Sequence, residues 1–184
     1  SVEKFKAATI ALDEGKHEES VKIYNEVLAQ SPNFEPALRR LSYSLVALGQ
    51  KEEGLKLSRK ALEINRSADN LIGYALNLTT SKDPNYRPTQ AELTEAFNLS
   101  KEAVKKDTEN DPDYATMVAE FALATNHDKD FIEAATLLEN KHPLLMQTHY
   151  FKGIRLAMEG NYSEAENEIS QAENLGLRKE SAEA

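Results

Sequence analysis

The sequence predicts an all-α solenoid of about five helix–turn–helix units. Three observations lead there. Gly15, Ser20, Tyr24, Val27, Leu28 and Pro32 recur 34 residues later as Gly49, Gly54, Ser58, Ala61, Leu62 and Arg66. A further copy reads Gly160, Tyr162, Ala165, Ile169 and Ala172. The composition is helical: Ala, Leu, Glu and Lys prevail, with 7 Gly, 6 Pro and no Trp. Finally, apolar residues stand at helical spacing between breakers, as Val21, Tyr24, Val27 and Leu28 do before Ser31-Pro32.

The units follow in order. The first, about 1–34, pairs a helix over 2–13 with one over 18–30, turning at Gly15. The second, about 35–68, places Leu38, Leu41, Leu45 and Leu48 on one helix face, turns at Gly49 and continues over 54–64. Small residues explain how the pairs close: Ala8 should face Ser20, and Ser42 should face Gly54, because a larger side chain would force the helices apart. The third, about 69–110, has helices over 70–80 and 90–106, with Ala96 and Ala103 at small positions. Between them lies an inserted loop, 81–89, where Pro84 and Pro88 forbid continuous helix. The fourth, about 115–145, has helices over 114–125 and 131–140, with Ala122 and Ala134 at the small positions. The fifth, about 146–179, sets Gly153 against Ala165. The phase predicts one continuous stack over 1–184.

At this point the chain resembles tetratricopeptide-repeat proteins, through GKHEESVKIYNEVLAQSP, ALGQKEEGLKLSRKALEIN and GNYSEAENEISQAENLG. It departs from the family at Lys4 and Leu38, where a large aromatic is usual, at Arg66, where proline is usual, and at Lys141. The resemblance implies a right-handed superhelix whose concave groove, lined by the first helix of each unit, holds a protein or peptide partner. Carried across, its groove positions are Arg39, Tyr43, Tyr74, Asn77, Leu123, Asn126, Tyr150 and Ile154. The family's basic clamp for chaperone C-termini is not matched, since Phe5, Thr9, Asn70 and Tyr74 stand there. Tyr86 and Arg87 make the inserted loop a second candidate contact.

Other functions find little support. A net charge of −9 without clustered Lys or Arg argues against nucleic acid. No apolar run is long enough to insert in a membrane, and no cysteine is present. His17, His127, His142 and His149 form no ligand pair, and no nucleotide or nucleophile motif occurs, so no cofactor, metal or catalysis is expected. Sequons at Asn65, Asn77, Asn98 and Asn161 are read as chance triplets. The Ser-Val start suggests an excised or processed piece, such as a regulatory or targeting domain of a larger enzyme or membrane-associated protein. The short ending LRKESAEA suggests an uncapped face open to self-association or an adjoining domain. Compartment is not determined, a cytoplasmic setting being slightly favoured over a periplasmic or membrane-tethered one.

Overall fold

A computed structural model describes residues 1–176, and the LRKESAEA ending lies outside the described residues. Those residues form helices without strands, α1 (Val2–Asp13), α2 (His17–Gln30), α3 (Glu35–Ala47), α4 (Lys51–Ile64), α5 (Ala68–Thr79) and α6 (Gln90–Lys106), then α7 (Pro112–Ala124), α8 (Asp128–Lys141), α9 (Met146–Met158) and α10 (Tyr162–Asn174). The chain divides into two compact units, Ser1–Lys106 and Asp107–Ala184.

In each unit, consecutive helices pack against one another. The small residues do what their spacing requires. A Cβ on Gly54 would lie 2.9 Å from the Ser42 carbonyl oxygen, and one on Gly153 would lie 3.1 Å from that of Ala165. Ala8 and Ser20 are likewise fully buried, and Ala75 and Ala96 repeat the arrangement in the third pair. The fourth pair differs from expectation. Counted from its turn, the place of Gly54 is taken by Phe131, not Ala134, and that ring is fully buried edge-on to Phe151 of α9, 5.9 Å away. The opposed small residue there is Ala119, also fully buried.

Four of the five turns share one backbone solution. Gly15, Gly49, Asn126 and Gly160 each take a left-handed φ, of 74°, 87°, 59° and 84°. The following amide donates back to Ala11, Leu45, Ala122 and Leu156 respectively, at 2.8–2.9 Å. The turn residue's own amide bonds three residues back, which completes a Schellman closure and satisfies the last carbonyls of the first helix. Asn126 is therefore a glycine substitute in a turn and does not sit on a groove-lining helix. Asn126→Val should lose about 1–2 kcal/mol of stability in urea unfolding, the cost of a branched side chain in the left-handed region, while Asn126→Gly should lose none.

Candidate interaction face

In the first unit α3 touches α1 on one side and α5 on the other, while α2, α4 and α6 chiefly contact their chain neighbours. The first helices thus form one layer and the second helices another. With α3 packed on both flanks and behind, one stripe of it beyond its first residue, Glu35, meets solvent: Pro36, Arg40, Tyr43 and Ala47, all half-exposed. The corresponding stripe on α5 is Asp69, Leu76 and Thr80, Leu76 being 38% exposed. On α1 it passes through Thr9.

Buried polar bonds lock this layer. The Arg39 guanidinium donates to Asn70 Oδ1 at 2.6 Å, and its other end lies 4.0 Å from Asp69. Asn77 Nδ2 donates to Ser42 Oγ at 2.7 Å. Arg40 donates to Thr9 Oγ1 at 3.0 Å and lies 5.0 Å from the Phe5 ring centroid. Gly73 is the contact point between α3 and α5: a Cβ there would meet the Tyr43 hydroxyl at 2.8 Å and Arg39 Cγ at 2.9 Å. Burial pushes the Tyr43 hydroxyl up to about 12, so it stays a neutral donor at physiological pH.

The sequence-derived site residues therefore separate. Tyr43 lies on the open stripe. Arg39 is buried and braces α5, presenting little to a partner. Asn77 is 1% exposed and serves the α3–α5 bond. Tyr74 is buried and turned towards α4, where the Arg59 guanidinium donates to its hydroxyl at 3.1 Å. These two departures have one cause. Four residues, 31–34, link α2 to α3, but only three, 65–67, link α4 to α5. The third pair therefore arrives one residue early, and one residue is about 100° around a helix. Leu76, not Asn77, holds the place of Tyr43. The readable signal was Ser67, whose hydroxyl accepts the Asn70 amide as the N-cap of α5.

In the second unit, Leu123 on α7 and Tyr150 and Ile154 on α9 are half-buried. Counting from the turns at Asn126 and Gly160, Glu120 and Ile154 share the register of Tyr43. Glu120 was not read from the sequence; recognising Asn126 as the turn residue would have found it. Arg155 ties α9 to α8 through both oxygens of Glu139 at 2.8 and 2.9 Å, and His149 and Lys152 hold Glu168 of α10 at 2.7 and 3.1 Å.

The inserted loop is well anchored. The Tyr86 hydroxyl donates between the Leu78 carbonyl at 2.9 Å and Glu92 Oε2 at 2.8 Å. Desolvation, then this carboxylate, pushes it up to about 12. Lys51 lies 3.8 Å from the Tyr86 ring centroid and donates to the Leu78 and Thr80 carbonyls. Tyr86 is thus an anchor of the loop, half-buried, while Arg87 is exposed and donates to the Pro84 and Tyr86 carbonyls. Thr89 and Glu92 close a capping box at the start of α6: each amide donates to the other's side chain, at 2.9 and 3.1 Å. The Thr89 amide bond holds the Glu92 carboxyl below its ordinary 4.5. A depressed carboxyl stabilises fully above its unfolded value and loses that contribution as pH falls through the folded one. Glu92→Gln should therefore lower the urea midpoint at pH 7, and the gap to wild type should shrink by pH 3.

Among the described residues no group of three or more His, Cys, Asp or Glu could hold a metal, and no helix is long and apolar enough to cross a membrane.

No protein-family model matches the chain, and no curated protein matches it in sequence. Solved structures do match. MamA aligns with a TM-score of 0.69 at 15% identity, over 96% of this chain and 97% of that one. MamA from Desulfovibrio magneticus RS-1, residues 41 to the end, aligns at 0.70 and 14% identity over 94% and 92%. YrrB, described as a TPR protein with an unusual peptide-binding site, aligns at 0.66 and 14% identity over 94% and 84%. At such identities the likeness speaks for the fold.

Proposed function

The chain has the tetratricopeptide-repeat fold, and from that premise we propose that it is a non-catalytic protein-interaction module. It holds an extended peptide or a helix of a partner protein along the open stripe of its first helices. The supporting observation is the combination of half-open Tyr43 and Leu76 with a frame that cannot yield beneath them. Arg39–Asn70 and Asn77–Ser42 are buried bonds, so the stripe is pre-organised and a ligand does not bear the cost of ordering it. YrrB, of the same fold, has a peptide-binding site. Arg40, Tyr43 and Leu76 are the contacts proposed in the first unit, and Leu123, Tyr150 and Ile154 in the second.

The experiment is selection of peptides from a random library on the full chain, followed by titration of the selected peptides against Tyr43→Ala. Loss of affinity supports the reading. Peptides that bind wild type and Tyr43→Ala alike would move the site elsewhere.

A further inference from the structure

The first helix pair ends in an open recess of about 590 Å³. Its apolar walls are Val2 and Phe5 of α1, Val27 of α2, and Pro32 and Phe34 of the linker into α3. Among the described residues no charged side chain lines it. Val2 and Phe34 are exposed, so the recess is open to solvent, and its size and lining suit a large apolar side chain. The two rings that shape it are in contact, their centroids 5.1 Å apart. Phe5 is in turn set edge-on to the buried Tyr24, 6.0 Å away, which fixes the wall from behind.

A cation borders this recess. The Arg40 guanidinium lies 5.0 Å from the Phe5 ring centroid. It donates to Thr9 Oγ1 at 3.0 Å, and that hydroxyl lies 3.1 Å from the Tyr24 hydroxyl. Both of these partners are neutral. No carboxylate pairs with Arg40 among the described residues, whereas Arg39 beside it in sequence has Asp69 at 4.0 Å. The carboxylates at this end of the pair are engaged elsewhere: Glu26 by Lys4 at 3.3 Å, and Glu35 by Asn65 at 3.1 Å. A guanidinium offers a planar fork of five donors that matches a carboxylate, and the bond to Thr9 leaves most of that fork open.

Arg40 also stands on the open stripe, one turn before Tyr43. A segment running along the stripe from Tyr43 towards Pro36 passes the guanidinium and arrives at the recess. The Phe5 ring borders both. In an extended segment, side chains i and i+2 point the same way and stand about 7 Å apart. One of them can enter the recess while the other meets Arg40.

We infer that the partner segment carries a large apolar residue two positions from an acidic one. The apolar side chain fills the recess between Phe5 and Phe34, and the carboxylate pairs with Arg40. This rests on the proposed peptide-holding function and specifies its partner. The two contacts reinforce each other, since an apolar group seated against Phe5 removes water from beside the guanidinium and strengthens the ion pair.

The test uses three fluorescein-labelled, C-terminally amidated peptides on the full chain. The parent core is Glu-Ser-Phe-Ser-Glu, which offers a carboxylate on either side of the ring; the second has Gln for both Glu, and the third has Ala for Phe. The parent should bind at least about tenfold tighter than either of the others in low salt. Arg40→Gln should weaken the parent about tenfold and leave the Gln peptide unchanged. Phe34→Ala, at an exposed ring, should weaken the parent and the Gln peptide alike and spare the Ala peptide. Lys56→Gln, which removes a charge from the exposed face of α4, should stay within about twofold. Circular dichroism checks that each variant keeps its helices, and Arg40→Lys, which keeps the charge without the fork, should recover part of the loss. A parent peptide weaker than about 1 mM, equal sensitivity to Arg40→Gln and Lys56→Gln, or none to Phe34→Ala overturns the inference. If it falls in this way while a library-selected peptide still loses affinity on Tyr43→Ala, the open stripe remains the site and only the acidic, apolar partner is wrong.

Discussion

Gly54→Leu should lower the stability of the chain by about 3 kcal/mol, the upper range for forcing extra methylenes into a packed contact. Already the Cβ would fall 2.6 Å from Val46 Cγ2 and 2.9 Å from the Ser42 carbonyl oxygen. The valine methyl can rotate away; the carbonyl is part of α3 and moves only with the helix. Ser42 is also the acceptor for Asn77, so displacing α3 pulls on the bond that aligns α5. The expected readouts are a reduced urea midpoint and a fall in the melting temperature on the order of 10 °C for a unit of this size. Gly54→Ala should show a smaller loss of the same sign. A leucine variant with an unchanged midpoint would mean that α3 and α4 do not approach this closely.

Tyr43→Ala should weaken a peptide bound on the stripe by roughly thirtyfold, about 2 kcal/mol, the scale of an aromatic anchor. The ring is set for this role by its neighbours. Gly73 leaves room for it against α5, and Arg39 runs beside it towards Asn70. Little reorganisation is therefore needed on binding. Tyr43→Phe separates area from hydrogen bonding: it should lose only the hydroxyl's share, about 1 kcal/mol. Leu76→Ala, one helix further on at the same register, should add a loss of its own. Fluorescence anisotropy with a selected peptide measures all three, and circular dichroism confirms that the helices persist. A Tyr43→Ala protein within twofold of wild type would remove the stripe from the binding site.

Much of this was legible in residues alone. The helix pairs followed from breakers and apolar spacing. The close approaches at Ser42–Gly54 and Gly153–Ala165 followed from residue size, because a helix contact without room for a Cβ can be read from the letters that lack one. The inserted loop was equally plain from Pro84 and Pro88, but its meaning was not. Tyr86 looked free to touch a partner, and it is instead tethered to Leu78 and Glu92. An aromatic in a loop has no periodicity to say which way it turns.

The site was read less evenly. Tyr43 falls on the open stripe because its unit keeps the 34-residue phase. Tyr74 and Asn77 were misplaced by a linker one residue short, and Asn126 by a turn that uses asparagine where its counterparts use glycine. Phe131 at a small-residue position escaped the pattern for a similar reason: α8 accommodates its bulk by setting it edge-on to Phe151, which no local rule foretells.

What the sequence determined by itself was everything local in origin: helix existence, the shared turn and the pairs that can approach closely. Only the tertiary structure decided which residues stay open. Openness depends on the rotational phase of each first helix between its neighbours, and a single linker residue changes that phase by about 100°.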